Sequence, residues 1–172
     1  GWAAWPTVML LAGSLVLLGL FVRLERRVAA PMLDLSLFRS RTFTAAAASA
    51  VLNYVCVFTV LFLMPFYLQQ ARGLSPAEAG LLLTAQPMLM AVVAPLSGSL
   101  SDRIGTRLPS VVGMGLLGFG LVLLSSLDLE SPRAAIVAML AVAGLGIGIF
   151  ASPNNSALMG AAPRHRQGIA AG

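Results

Sequence analysis

The stretch "GSLSDRIGTR", residues 98–107, places one acid and two arginines between two long uncharged segments. Residues 79–101 and 108–127, on either side of these charges, carry no charged side chain. An ionised side chain at the centre of a bilayer costs about 2.5 to 3.5 kcal/mol on insertion scales, so charges tend to mark the ends of membrane spans. The stretch therefore predicts a short connection between two transmembrane helices.

The same alternation of charge and apolar sequence runs through the whole chain. Its 172 residues are 58% hydrophobic and 10% charged, and the mean hydropathy is +0.90, well above the range of soluble domains. Each uncharged run is long enough for the roughly 20 residues that cross the hydrocarbon core as a helix. These runs are 1–22, 42–71, 79–101, 108–127 and 134–163.

The predicted fold is therefore an all-α integral membrane bundle with five transmembrane helices. The last residues, "GIAAG" after Gln167, predict the start of a sixth helix. A first residue of Gly1 and an ending inside a helix indicate an excerpt from a longer protein.

The arginines fall mainly on one side of the predicted membrane. Two of the eleven, Arg72 and Arg133, lie in connections on the opposite side. By the positive-inside rule, the side that holds residues 98–107 is cytoplasmic, which predicts a multi-pass protein of the cell membrane, in bacteria the inner membrane. The nine cytoplasmic arginines are Arg23, Arg26, Arg27, Arg39, Arg41, Arg103, Arg107, Arg164 and Arg166.

The net charge of +5 does not indicate a nucleic-acid partner. A nucleic-acid surface needs basic residues gathered on one folded face together with stacking aromatics. Here the arginines stand at membrane boundaries, where contact with anionic headgroups explains them. Membrane lipids are therefore the predicted partners of these residues.

Catalytic, metal and cofactor chemistry are not predicted. The five uncharged runs contain no acid, base or histidine at membrane depth, so neither a general acid nor a proton relay is available within them. The single cysteine, Cys56, has no partner for an internal disulfide and indicates a buried, inert thiol. His165 stands alone between two arginines and indicates a solvated loop residue.

Proline and glycine residues inside the runs are candidates for helix hinges. A proline removes one backbone hydrogen bond and bends its helix, and a membrane bundle tolerates this where neighbours satisfy the freed carbonyl. Glycines on one helix face also allow close helix packing, so static packing is the alternative role. The candidates are Pro65, Pro87, Pro95, Gly144, Gly148 and Pro153.

Amide and phenol side chains in or at the ends of the runs are candidates for the lining of a substrate cavity. Within a helix bundle such groups either tie helices together or face an aqueous path, and the sequence leaves both roles open. The candidates are Asn53, Tyr67, Gln86, Asn154 and Asn155.

The opening stretch also contains a spaced motif, G-x-L-x-D-R-x-G-x-R. Its six fixed positions are filled by Gly98, Leu100, Asp102, Arg103, Gly105 and Arg107, and all of these except Leu100 are hereafter called the latch motif. The pattern resembles the signature loop of the major facilitator superfamily. In such a loop Gly98 allows close helix contact and Gly105 permits a tight turn. Asp102, near the N-terminus of the next helix, would pair with arginine as a conformational latch.

Three further stretches narrow the resemblance. "ERRVAAPMLDLSLFRSRTF" from Glu25, "FYLQQARGLSPAEAGLLLTAQP" from Phe66 and "GLGIGIFASPNNSALMGAAPRHRQGIAAG" from Gly144 resemble the fourteen-helix drug/proton antiporter branch, the EmrB/QacA-like exporters. The resemblance implies that residues 1–42 hold the last helix of the central inserted pair and a cytoplasmic linker. It further implies that residues 43–172 hold the first four helices, and the start of the fifth, of the C-terminal six-helix half.

The function implied by the resemblance is alternating-access export of a small organic compound, a drug above all, in exchange for protons. The acids that couple protons, and the N-terminal half that completes the transporter, are expected outside these residues. A facilitator of another small solute, such as a sugar or a metabolite, is the alternative within the transporter class. Outside that class, a non-transport integral membrane protein remains open, although a membrane enzyme should show clusters of histidine or carboxylate near a membrane face.

Overall fold

The computed structural model describes residues 4–25 and 35–161, and all regular structure in these ranges is helical. The prediction of five transmembrane helices is confirmed, because five helical segments are long and apolar enough to cross a membrane: Trp5–Glu25, Arg41–Ala71, Pro76–Ile104, Arg107–Ser125 and Arg133–Ala161. The predicted sixth helix, the linker residues 26–34, and Arg164, His165 and Arg166 lie outside the described residues.

The elements follow one another with short connections. After α1 (Trp5–Glu25), a 3-10 turn (Leu35–Arg39) leads into α2 (Arg41–Phe66), which continues as a π-helical turn (Tyr67–Ala71). The third span consists of α3 (Pro76–Leu83) and α4 (Ala85–Ile104), and the last two spans are α5 (Arg107–Ser125) and α6 (Arg133–Ala161).

The break between α3 and α4 has a cause in the sequence. Ser75 and Glu78 form a capping box that starts α3, with Pro76 in its first turn. Pro87 has no N–H and cannot bond the carbonyl of Leu83, and the helix is interrupted at Thr84, directly after that residue. Thr84 itself keeps a helical backbone, and its N–H and carbonyl still bond Gly80 and Met88, so a hinge role for Pro87 stays a prediction.

The other prolines leave their helices unbroken. Pro65 lies within α2, two residues before the π-helical turn, in which the backbone N–H of Arg72 donates to the carbonyl of Tyr67 at 3.1 Å. Pro95 and Pro153 lie inside α4 and α6, which continue past them. A hinge role for these three positions stays a prediction.

Helix α6 is the centre of the bundle, since α4 packs on one of its faces and α5 on another. A Cβ atom at Gly144 would overlap the backbone of Gln86 in α4, and one at Gly148 would lie 3.2 Å from the Cα of Met90. On the other face, a Cβ at Gly146 would overlap the backbone of Leu117 in α5. Gly144 and Gly148 thus serve close packing, the alternative role that the sequence left open for them.

Apolar side chains cover most of the outer surface of the described helices. Helix α1 has no buried residue, and leucines such as Leu10 (75% exposed) and Leu15 (69% exposed) point away from the described chain. Such exposure is destabilising in water and appropriate in lipid, because hydrocarbon is as apolar as leucine. The surface supports the assignment to a membrane.

Candidate functional site

The glycines of the latch motif take the two roles predicted for them. A Cβ atom at Gly98 would stand 2.6 Å from the Oγ of Ser152, so the missing side chain lets α4 pass close to α6. Gly105 follows the last residue of α4 at a φ of 87°, a conformation that favours glycine, and α5 begins two residues later. Gly98 thus lies at a close helix contact and Gly105 at a tight turn, while the latch itself stays a prediction.

The charges of the latch motif are not paired with one another in this structure. Asp102 lies in the last turn of α4 and is exposed, and among residues 4–25 and 35–161 neither it nor Arg103 nor Arg107 forms a salt bridge. Arg107 instead borders a cavity together with Arg41. The pairing of Asp102 with arginine therefore stays a prediction for another conformation or for residues beyond those described.

Asn154 ties two helices together. The side chain is only 3% exposed, and its Nδ2 donates to the backbone carbonyl of Ala46 at 3.2 Å, which joins α6 to α2. A second cross-link of this kind joins α4 to α6, where the Oγ of Ser97 donates to the carbonyl of Ile149 at 2.7 Å. The neighbouring Asn155 is exposed.

Asn53 differs from Asn154 because its amide nitrogen has no hydrogen-bond partner among the described residues. Asn53 lies near the middle of α2 on the face that packs against the bundle, and it is 6% exposed. A buried donor without a partner is destabilising by about 1 to 3 kcal/mol. Among the five cavity candidates, Asn53 is thus the buried residue whose amide nitrogen lacks a partner within the described chain, whereas Asn155 is exposed.

Substituting the two asparagines by leucine is expected to separate their roles. Asn154→Leu removes a helix-joining hydrogen bond, so it should lower the stability of the complete transporter by about 1 kcal/mol and leave the relative transport of different compounds unchanged. Asn53→Leu removes an unsatisfied donor, so folded protein should not fall, and the transport profile should change. Thermal melting and transport of a compound panel test this, and a loss of stability in Asn53→Leu with an unchanged profile would contradict it.

The other two cavity candidates lie elsewhere. The backbone of Gln86 packs against Gly144 at the start of α4, and its side chain is half-buried. The hydroxyl of Tyr67 donates to the carbonyl of Asp128 at 2.5 Å, in the connection between α5 and α6. The structure therefore does not bring the five candidates into one site.

Tyr67 belongs to a polar cluster, here called the external cluster, that joins the two connections assigned to the outer side. Arg72 donates to Tyr67 at 3.4 Å and to the carbonyl of Ser131, and Arg133 pairs with Glu78 at 3.0 Å. Both outer arginines thus bind the other connection. The sequence showed these residues in separate loops, and nothing in their spacing linked loops about 60 residues apart.

Within the external cluster, Asp128 is held by its own loop. Hydrogen bonds from the Ser131 hydroxyl and the Glu130 backbone N–H lower the pKa of the Asp128 carboxyl, with a smaller contribution from the charge of Arg72. Because the pKa is lowered, the ionised carboxyl stabilises the folded loop at every pH above its ordinary pKa. This stabilisation is lost as the pH falls through the pKa of the folded state. The loop arrangement is therefore insensitive to pH changes near neutrality.

One face of α2 carries an aromatic stripe, defined by Tyr54, Phe58, Phe62 and Phe66. These residues are spaced by four, which places them on one helix face, and the first three are 63%, 62% and 66% exposed. Val51, Val55 and Thr59 extend the stripe into a shallow, open apolar surface on this one helix. The opposite face of α2 packs on the bundle, through residues such as Val60 and Met64.

The aromatic stripe is the feature that the sequence interpretation missed. The spacing of four was visible, but aromatic residues at helical spacing occur equally in buried cores. Only the packing of α2 shows that this face is free in the described chain. Within the described residues, no group of three or more His, Cys, Asp or Glu side chains is placed to hold a metal ion.

Comparison with known proteins gives one consistent family. The whole chain, residues 1–172, matches the family described as Major Facilitator Superfamily. It is 36% identical over 155 residues to the riboflavin transporter RibZ of Clostridioides difficile, a match that covers 90% of this chain and 34% of RibZ.

Two relatives named for drug resistance match along the full chain. The multidrug resistance protein Stp of Mycobacterium tuberculosis is 35% identical over 172 residues, and the match covers 32% of Stp. The tetracenomycin C resistance and export protein of Streptomyces glaucescens is 31% identical over 172 residues and is covered to 32%. The chain thus spans about a third of the length of these curated relatives.

Proposed function

Because the chain belongs to the major facilitator superfamily, we propose that it is part of a multi-pass membrane transporter that exports drugs or similar small organic compounds in exchange for protons by alternating access. The names of two relatives, a multidrug resistance protein and an antibiotic export protein, support export of such compounds. The partners of the complete protein would be the organic substrate, protons, membrane lipids and the N-terminal half of the same chain.

The observation that carries this proposal is the aromatic stripe of α2. Transporters of this superfamily bind substrate near the bilayer midplane, between two repeats. Tyr54 and Phe58 lie near the middle of α2, and the two residues are 63% and 62% exposed in the described bundle. Aromatic rings attract organic cations through their faces and pack against apolar groups of many shapes, which suits an exporter of amphipathic or cationic compounds.

The place of the chain within the transporter is the second part of the proposal. Helix α1 would be the last helix of the central inserted pair, followed by the cytoplasmic linker up to residue 42. Helices α2 to α6 would form the first four spans of the C-terminal half, with α3 and α4 as one span. The isolation of α1, which has no buried residue, and the mutual packing of α2 to α6 support this division.

Transport without enzymatic activity completes the proposal. The uncharged runs supply no acid at membrane depth, so the proton-coupling carboxylates would be contributed by the other half. The proposed transport therefore involves no catalytic residue, metal or cofactor.

Uptake or export of a metabolite is the second candidate function. Similarity to a protein named as a riboflavin transporter favours it, and the aromatic stripe would equally suit a flat heterocycle. Reconstitution of the complete protein in liposomes decides between the two. A pH gradient that drives cationic drug transport, with no flux of riboflavin, supports the exporter, whereas riboflavin flux without drug transport supports the alternative.

Single aromatic substitutions test the role of the stripe. Phe58→Ala is expected to raise the KM for an aromatic cationic drug about two- to thirtyfold, the equivalent of a cation–π contact of 0.5 to 2 kcal/mol. The amount of folded protein should not change, because Phe58 is 62% exposed in the described bundle. Phe119→Ala is the matched control, since Phe119 is a phenylalanine of α5 that is 55% exposed. Equal changes in KM for both variants would remove the stripe from the substrate path.

A further inference from the structure

A cavity lies between α2, α5 and α6. It opens at their cytoplasmic ends, as the distribution of arginines assigns them. Its volume is about 660 Å³, and both of its charged lining residues, Arg41 and Arg107, are basic. Within the described residues neither arginine has a carboxylate partner. Both side chains are exposed at the cavity, and two guanidinium groups that line one cavity favour the binding of an anion there.

The polar lining adds hydrogen-bonding groups to this charge. Thr42 and Ser49 line the side of α2 and can donate their hydroxyl protons. Ser110 lines the side of α5, but its hydroxyl proton is already donated to the carbonyl of Thr106 at 2.8 Å. Asn154 closes the inner wall, where its amide nitrogen is held by the carbonyl of Ala46. Hydroxyl and guanidinium donors together are the groups that bind phosphate oxygens.

The N-terminus of α5 adds free backbone donors at the same place. Thr106, the residue before the helix, makes no side-chain capping bond, so the N–H groups of Arg107 and Leu108 are not satisfied by a cap. Pro109, the third residue of the helix, has no N–H to offer. The start of α2 is different, because the hydroxyl of Ser40 accepts from the N–H of Phe43 at 3.4 Å. An uncapped helix N-terminus favours an anion through its partial positive charge.

The apolar part of the lining distinguishes this cavity from a simple ion site. Ala45, Val111 and Ala157 extend the walls inward from the arginines. Ser49 lies eight residues after the start of α2, which at 1.5 Å per residue is about 12 Å along the helix axis. The cavity therefore has a basic mouth and a partly apolar floor.

From the two unpaired arginines, the uncapped helix and the hydroxyl lining, we propose that this cavity binds a phosphate group. The basic mouth takes the phosphate oxygens, and the apolar walls fit the first carbons of a lipid glycerol or acyl chain. The headgroup of an anionic phospholipid and free phosphate share this chemistry. The site does not depend on what the protein transports, so it can be present or absent whether or not the proposed function holds.

The test is phosphate and lipid binding by the complete transporter in nanodiscs. Wild-type protein in phosphatidylcholine discs receives either phosphatidylglycerol, counted as bound lipid by native mass spectrometry, or inorganic phosphate, followed by thermal shift. Retention of phosphatidylglycerol identifies the headgroup, and stabilisation by millimolar phosphate identifies the free ion. The absence of both effects overturns the proposal.

Matched arginine variants place the binding in the cavity. Arg41→Gln and Arg107→Gln should each weaken binding about tenfold or more, because each removes charge-assisted hydrogen bonds to the anion. Arg39→Gln and Arg103→Gln are the controls, since these arginines lie two and four residues away in the same connections and do not line the cavity. Equal losses in all four variants would show general attraction to the membrane surface and overturn the site.

A cavity-filling variant keeps the test valid if an arginine variant folds poorly. Ala157→Leu adds bulk to the wall and leaves every charge in place. It should reduce retention of phosphatidylglycerol or stabilisation by phosphate by a similar factor. Unchanged binding in Ala157→Leu, with wild-type melting behaviour, also overturns the proposal.

Discussion

Asp102→Asn in the complete transporter is expected to remove most export while the protein still reaches the membrane at near-normal levels. Asp102 is exposed in the last turn of α4, so its carboxylate contributes little to insertion or packing in this conformation. That position is unfavourable for an acid, because the C-terminal end of a helix carries partial negative charge. A compensating cation is expected in another conformational state, and this is the role of a latch.

The size of the effect follows from the coupling between conformational states. A coupling free energy of about 1 to 3 kcal/mol changes the ratio of two states roughly 5- to 150-fold. Loss of the Asp102 charge should therefore shift the population strongly, and a cysteine introduced near Gly98 should become more reactive from the cytoplasmic side. Transport in inverted vesicles and labelling rates measure the two consequences.

The arginine partner gives the control experiments. Arg107→Ala should act in the same direction, and the double variant should be little worse than either single variant if the two groups act as one unit. Arg23→Ala changes an exposed arginine at the end of α1 and should leave export unchanged. Normal export by Asp102→Asn, or its failure to reach the membrane, would falsify the latch.

The spans could be predicted from the sequence because charge alone defines them. Ionised side chains are excluded from the hydrocarbon core regardless of which helices pack together, so the uncharged runs and the helices agree within a few residues. The turn at Gly105 was equally predictable, because a positive φ beyond the end of a helix favours glycine. Both inferences rest on properties of single segments.

The site residues were harder to predict because their roles depend on neighbours. Asn53 and Asn154 are chemically identical, yet one bonds the carbonyl of Ala46 and the other has no partner for its amide nitrogen among the described residues. Tyr67 was a candidate for the lining of a cavity, and its hydroxyl bonds a loop residue 61 positions away. Hydropathy gives the depth of a side chain along its helix, whereas only packing gives the direction in which it points.

The glycines of α6 show how the direction of a helix face decides which neighbouring helix it contacts. Gly144 and Gly148 admit α4 on one face, and Gly146, two residues from each, admits α5 on the opposite face. Successive helix positions differ by about 100°, so residues four apart share a face and residues two apart do not. A run of alternating glycines therefore lets two helices approach the same helix to backbone contact.

Gly146→Val is expected to destabilise the bundle strongly. A Cβ at Gly146 would overlap the backbone N of Leu117 and would lie 2.8 Å from the carbonyl oxygen of Gly113. These obstacles are backbone atoms, which cannot rotate away as a flexible side chain can, so α5 must separate from α6. Overpacking in a core is destabilising by about 1 to 3 kcal/mol, and a backbone clash belongs at the upper end of that range.

Gly118→Val is the matched control, because a Cβ at Gly118 meets no atom within 4 Å. Denaturation of both variants of the complete transporter in a detergent series should therefore show early unfolding of Gly146→Val and near wild-type behaviour of Gly118→Val. Export should fall in proportion to the folded fraction, with the KM of the remaining transport unchanged, since Gly146 faces α5 and not the aromatic stripe. If both variants unfold alike, the loss comes from placing valine in a membrane helix, and the close contact between α5 and α6 does not determine the stability of the bundle.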